Sequence, residues 1–158
     1  MGIHAGLEIC KALQPVIDSV ESVTAEAGEV TIQRLDGLQT KLKDGEYCVI
    51  LSPEDVSRTL KARDLRIRNE RHTITLTLVA SCVQQSDLNN IEPVEQFLSK
   101  LVDLDDLIYQ TPIALDAPYG NVNHPIESIE VPSDDELRHL SLRIRQLQYP
   151  FTAARTGA

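Results

Sequence analysis

The sequence predicts an α+β fold: a mixed, mainly antiparallel sheet with two main helices packed on one face. Three observations predict it. Apolar residues recur at helical spacing over residues 7–23 and again over 94–108. Period-two alternation is strict over residues 72–79. The candidate strands cluster instead of alternating one by one with helices, which argues against a parallel doubly wound sheet. With 158 residues the chain is one domain by the usual prior of roughly 150 residues each. That domain is expected to span residues 1–149, with a flexible C-terminal tail over 150–158, a small and polar stretch.

The first helix is carried by Leu7, Cys10, Leu13, Ile17 and Val20, with Ile9, Val16 and Val23 broadening the stripe. Pro15 either kinks it or opens a second helix, and Gly28 is a natural stop. Val30-Thr31-Ile32-Gln33-Arg34-Leu35 alternates weakly and reads as a short strand closed by an Asp36-Gly37 turn. A second turn at Lys43-Asp44-Gly45 leads into Tyr47-Cys48-Val49-Ile50-Leu51, an apolar run short enough for a buried strand. Leu65-Arg66-Ile67-Arg68 and then residues 72–79 form the clearest strand, interrupted at Asn69-Glu70. Its threonines on one face and Ile74, Leu76 and Leu78 on the other describe one-sided burial and antiparallel pairing.

Pro93 opens the second helix, with Val94, Phe97, Leu98, Leu101, Leu104 and Ile108 as its apolar stripe. Asp103, Asp105 and Asp106 stand near its C-terminus, where the helix dipole disfavours anions, and read as a solvated helix end. Residues 111–125 carry three prolines and a glycine and read as loop. A short strand is expected over residues 126–131. Ser133-Asp134-Asp135-Glu136 matches a capping box, and residues 140–149 alternate as a closing strand. The repeated Leu-Arg-Ile-Arg at Leu65 and Leu142 reads as two similar sheet strands.

Composition narrows the function classes. The chain carries 24 acidic and 15 basic residues, a formal charge of −9, the wrong sign for a global binder of nucleic acid or anionic membrane. No apolar run reaches the roughly 20 residues that span a bilayer, and no basic-then-apolar leader opens the sequence. Cys10, Cys48 and Cys82 lack disulfide-scaffold or zinc spacing, which fits a reducing compartment.

Catalytic chemistry is equally sparse. His4, His72, His124 and His139 are dispersed and are expected as surface residues near strand ends. Cys48 and Cys82 are expected as small hydrophobes, Cys82 being the better placed of the two for a nucleophile. The aspartates of the second helix lack the glycine and terminal glutamate of a calcium loop. No glycine-rich phosphate loop or nucleophile elbow is present. The expectation is therefore no catalytic residue, no cofactor and no metal. Basic residues gather at Arg58, Lys61, Arg63, Arg66, Arg68 and Arg71, with Arg143 and Arg145 apart. Three uses stay open: nucleic-acid contact, although aromatics do not interleave with the arginines; a solvated sheet face; or self-association. In the last, Arg66, Arg68, Arg143 and Arg145 of one subunit meet Asp134, Asp135 and Glu136 of the next.

The order of elements resembles the tail-terminator and neck proteins of long-tailed bacteriophages. The resembling places are the N-terminal helix, the strand Tyr47-Cys48-Val49-Ile50-Leu51-Ser52-Pro53, the charged approach Arg68-Asn69-Glu70-Arg71-His72, the strand over 73–80, the helix over 94–108 and the closing strand over 140–149. That resemblance is topological and covers nearly the whole chain. It implies a structural virion protein, assembled in the host cytoplasm, whose copies form a hexameric ring. The ring ends the tail tube, contacts other neck, tube or sheath proteins, and lets genome DNA pass without specific binding. The negative balance suits an acidic channel. The segments Pro53 to Arg68 and Thr111 to Pro125 are longer than the pattern needs, and either is a candidate subunit-contacting arm. The alternative from composition alone is a non-catalytic adaptor that binds its partner through a sheet edge.

Overall fold

The computed structural model describes residues 5–43, 45–53, 67–81, 91–117, 119–124, 129–131 and 142–156. Among them three helices and a six-stranded sheet follow the order α1 (Ala5–Asp18), β1 (Val23–Ala27), α2 (Ile32–Lys41), β2 (Tyr47–Pro53), β3 (Ile67–Ser81), α3 (Ile91–Gln110), β4 (Val122–Asn123), β5 (Ile129–Val131) and β6 (Leu142–Thr156). The fold is α+β. The sheet runs β1-β2-β3-β6-β4, with β5 also on β6. Only β1 and β2 are parallel; every other pair is antiparallel.

Strand parity sorts the core into two layers. Val49 and Leu51 of β2, Ile74, Leu76 and Leu78 of β3, and Leu147, Tyr149 and Phe151 of β6 pack with Ile9, Leu13 and Ile17 of α1 and Phe97, Leu104 and Ile108 of α3. Both main helices thus cover one face, as their apolar stripes require. The alternate residues Cys48, Ile50, Val79 and Leu142 belong to a smaller cluster on the other face, closed by Leu35 and Leu38 of α2.

That third helix replaces the strand expected at residues 30–35. The β-branched run Val30-Thr31-Ile32 suggested extension, but Thr31 is the N-cap: its hydroxyl accepts from the Arg34 amide at 3.1 Å. Leu35 and Leu38, three apart, supply the buried stripe, and Asp36-Gly37 lies inside the helix instead of forming a turn. Ile32 is left 61% exposed, so its β-branching carries no packing weight.

The first helix is shorter than its apolar pattern. It runs through Pro15, which is exposed and forgoes only one backbone bond, and stops at Asp18. Ser22 adopts φ 65°, a left-handed turn, and residues 23–27 then form β1. Gly28, at φ 140°, ends that strand while its N–H donates to Leu51 O at 3.0 Å.

The expected break at Asn69-Glu70 is absent, and β3 is continuous for 15 residues. β6 also has 15 residues and pairs with it throughout, from Ile67↔Thr156 to Ser81↔Leu142. Residues 150–156, expected as a loose tail, are therefore the second half of this strand. Phe151 and Ala153 are fully buried there. Pro150 lies in the ladder opposite Thr73. On the other side of β6 pairing lapses at this proline, between Gln148 (with β5) and Thr152 (with β4), where no N–H is available. The expected 111–125 loop is largely irregular, with a bridge Ala114↔Asn121 and the two residues of β4. The capping box at residues 133–136 lies outside the described residues, as do residues 54–66 of the expected arm over Pro53 to Arg68, whose two ends belong to β2 and β3.

Candidate functional site

The β3–β6 ribbon is the feature that the rest of the fold serves. β2 pairs with β3 only from Ile74 to Ala80. Toward Ile67 the ribbon continues seven residues further, flanked on the β6 side by β4 at Ala153 and Thr152. On the β2 side of residues 67–73 no strand follows among the described residues. The opposite sheet edge is treated differently. At β1 the Ala25 amide donates to Asp18 Oδ1 at 3.1 Å and the Ala25 carbonyl accepts from Gln14 Nε2 at 3.2 Å. Arg34, bonded to Glu26 Oε2 at 2.9 Å, also reaches Ala27 O at 3.5 Å. Side chains thus occupy the outward groups of β1, the usual protection of an edge strand.

The projecting half of the ribbon holds a buried polar cluster. Glu70 is 3% exposed, and its Oε1 accepts from the Tyr119 hydroxyl at 2.7 Å and lies 2.9 Å from His72 Nε2. With the carboxylate ionised, Nε2 carries the proton and donates. Glu70 and His72 stand two apart on β3 and so share the face of Ile74, Leu76 and Leu78. His72, expected at the surface, is 3% exposed. Its period-two parity with Ile74 was the available signal, hidden by reading Asn69-Glu70 as a break. Chemically the trio is a carboxylate, an imidazole and a phenol sealed under the sheet face. It ties Tyr119 to the ribbon.

Neighbouring contacts extend the tie. The Tyr149 hydroxyl donates to Asp105 Oδ1 at 2.5 Å, so this aspartate turns inward and anchors a core tyrosine instead of being solvated with Asp103 and Asp106. His124 Nε2 donates to Thr111 O at 2.6 Å, and its ring stands edge-on to Phe151, centroids 5.6 Å apart. His124 is thus half-buried and partnered, not a free surface side chain.

The arginines chosen from the sequence do not form one strip. Arg68 stands opposite Arg155 at one end of the ribbon, whereas Arg143 and Arg145 stand opposite Ala80 and Leu78 at the other. Twelve residues of β3 separate Arg68 from Ala80, about 40 Å of strand. Antiparallel pairing is the reason: the two Leu-Arg-Ile-Arg stretches begin strands that run in opposite directions. Arg143 and Arg145 also share the parity of Leu147 and Tyr149, the helix-covered face. Arg143 lies over the Phe97 ring at 5.9 Å, and Arg145 is exposed. Arg66, Asp134, Asp135 and Glu136 lie outside the described residues, as do His4, His139 and Cys82.

Burial pushes the Cys10 thiol up to about 12; the same cause, aided by nearby Glu26, raises Cys48 to about 12. Such thiols stay protonated and inert. In the folded protein neither is expected to react with iodoacetamide at pH 8, and both are expected to react once denaturant exposes them. Peptide mapping after alkylation reads this directly. Among the described residues no three His, Cys, Asp or Glu side chains converge as a metal-ligand set, and no helix is long and apolar enough to cross a membrane.

No protein-family model matches the chain, and no curated protein matches it significantly. Its class therefore rests on the geometry: an α+β domain with one shielded sheet edge, one projecting ribbon and a buried polar tie beneath that ribbon.

Proposed function

We infer that the chain is a non-catalytic structural subunit whose copies join into a ring, as the resemblance to phage tail-terminator and neck proteins implies. The observation that carries this reading is the ribbon. An unpaired strand edge invites pairing with another chain, and monomers usually cover it. Here β1 is covered by side chains, while residues 67–73 extend past the last residue of β2. The element order gives further support, since helix, strand, long strand, helix and long closing strand recur in the order of the resemblance. In that setting the ring ends a tail tube and joins it to the neck, and the charge of −9 keeps DNA phosphates sliding past without sticking.

That edge, with which no strand pairs on the β2 side among the described residues, also favours a second reading, an adaptor that takes an extended peptide as an added strand. Mass photometry on the purified chain separates the two. A uniform ring, expected at six subunits, supports the first. A chain that stays monomeric at high concentration overturns it and leaves the adaptor.

A further inference from the structure

The connection between the two parallel strands forms a cover of its own. Parallel neighbours need a crossover, and α2 is the crossover from β1 to β2. It lies on the sheet face opposite α1 and α3, in one cluster with Cys48 and Ile50 of β2, Val79 of β3 and Leu142 of β6. All four are buried.

This cover is held lightly. Of its ten residues only Leu35 and Leu38 are fully buried, with Val30 and Leu42 partly buried on either side. Isolated helices shorter than about 12–15 residues are marginal in water, so α2 depends on its docking. Gly37 stands inside it with nothing within 4 Å of where a Cβ would be, so the glycine weakens the helix without serving a close approach. Arg34 ties it to β1. Its Nη2 and Nε donate to Glu26 Oε2 at 2.9 and 3.3 Å, and its Nη1 donates to Glu29 O at 3.1 Å. Both partners of that ion pair are partly exposed, so salt screens it.

The anchors on either side of α2 are firm. Gly28 donates its N–H to Leu51 O at 3.0 Å, and its carbonyl accepts from Ser52 Oγ at 2.6 Å. After the helix, the Tyr47 N–H donates to Ser22 O at 2.8 Å. The ladders of β1 with β2 and of β2 with β3 include no residue of α2.

We propose that α2 is a lid. It undocks as a unit, pivoting beyond Gly28 and ahead of Tyr47, and uncovers the apolar patch of Cys48, Ile50 and Val79 while the sheet and the α1–α3 layer stay folded. Elements with few buried contacts open at lower free energy than the whole fold. Two buried free cysteines make the device readable. Cys48 lies in the cluster that α2 closes, whereas Cys10 of α1 lies in the main core.

Iodoacetamide labelling at pH 8, over a urea series that stops short of the global transition, tests it, with each cysteine followed by peptide mapping. Cys48 is expected to react at urea concentrations where Cys10 does not. Its dependence on urea is expected to be shallower, because opening the lid exposes less surface than unfolding. Arg34→Ala is expected to speed Cys48 labelling about tenfold, through loss of charge-assisted hydrogen bonds. Gly37→Ala is expected to slow it about threefold to fivefold, by favouring the helix. Neither changes the rate at Cys10. Should R34A loosen the whole fold, Cys10 accelerates together with Cys48, and G37A then decides alone. Cys48 and Cys10 reacting together in the original chain, with one urea dependence, overturns the lid. So does a Cys48 rate that Gly37→Ala leaves unchanged.

Discussion

Glu70→Ala is expected to lower the melting temperature by about 5–15 °C. The change strips the Tyr119 hydroxyl and His72 Nε2 of the carboxylate oxygen that both contact, in a region where Glu70 and His72 are 3% exposed. A buried polar group left without such a partner costs about 1–3 kcal/mol, so two of them cost about 2–6 kcal/mol. Truncation to alanine also opens a cavity beside His72 and Tyr119, opposite Ala153 in the ladder. Two further variants isolate the polar term. Glu70→Gln keeps an acceptor of the same shape and is expected to lose less than half as much. Replacing all three groups, with Glu70→Leu, His72→Leu and Tyr119→Phe, is expected to recover most of the loss, because a buried polar cluster removed whole is far cheaper than one broken in part. Thermal melts of the three variants check this. An alanine variant within about 2 °C of the original chain would mean that the cluster is not a tie.

The cluster also shows where the sequence was legible and where it was not. Ile74, Leu76 and Leu78 announced a strand with one buried face because their alternation is uninterrupted by charge. Glu70 and His72 continue the same parity, but a carboxylate on an apolar face normally marks the end of burial. Only a partner from elsewhere makes it tolerable, and Tyr119 is 49 residues away. Contacts of that separation leave no local trace. The two main helices were readable for the opposite reason: a stripe such as Phe97, Leu101, Leu104 and Ile108 is a local pattern that the core satisfies directly. α2 and β1 were hidden because each is short and half-covered. In β1 only Val23 and Ala25 are buried, and Val23 also fits the helical stripe that precedes it.

The arginines follow the same rule at longer range. Which residues belong to strands was visible in Leu142-Arg143-Ile144-Arg145, but which strand lies opposite, and in which direction, was not. Antiparallel pairing of β3 with β6 sends the two similar stretches to opposite ends, so a strip that looked continuous in composition is divided in space. The division places Arg68 at one end of the ribbon and Arg143 and Arg145 at the other.

Phe151→Ala is expected to destabilise the fold by about 3–5 kcal/mol, the usual range for a fully buried phenylalanine. The residue lies in the stretch that composition marks as a polar tail, yet its side chain is 0% exposed. It pairs with His72 across the ribbon, its ring centroid is 6.2 Å from that of Tyr149, and His124 stands edge-on to it at 5.6 Å. Loss of the ring therefore removes contacts to β3, to β6 and to the residue that follows β4, and loosens the floor beneath Glu70. Phe151→Leu keeps most of the apolar volume and is expected to lose less than about half as much. Truncation after Tyr149 is the stricter form of the same test. It deletes the strand residues opposite 67–73 and the ladder partners of β4 among the described residues, so the shortened chain is expected to lose cooperative unfolding altogether. Urea denaturation followed by far-UV circular dichroism distinguishes the cases. A truncated chain that unfolds at the same midpoint as the original would show that the second half of β6 is dispensable.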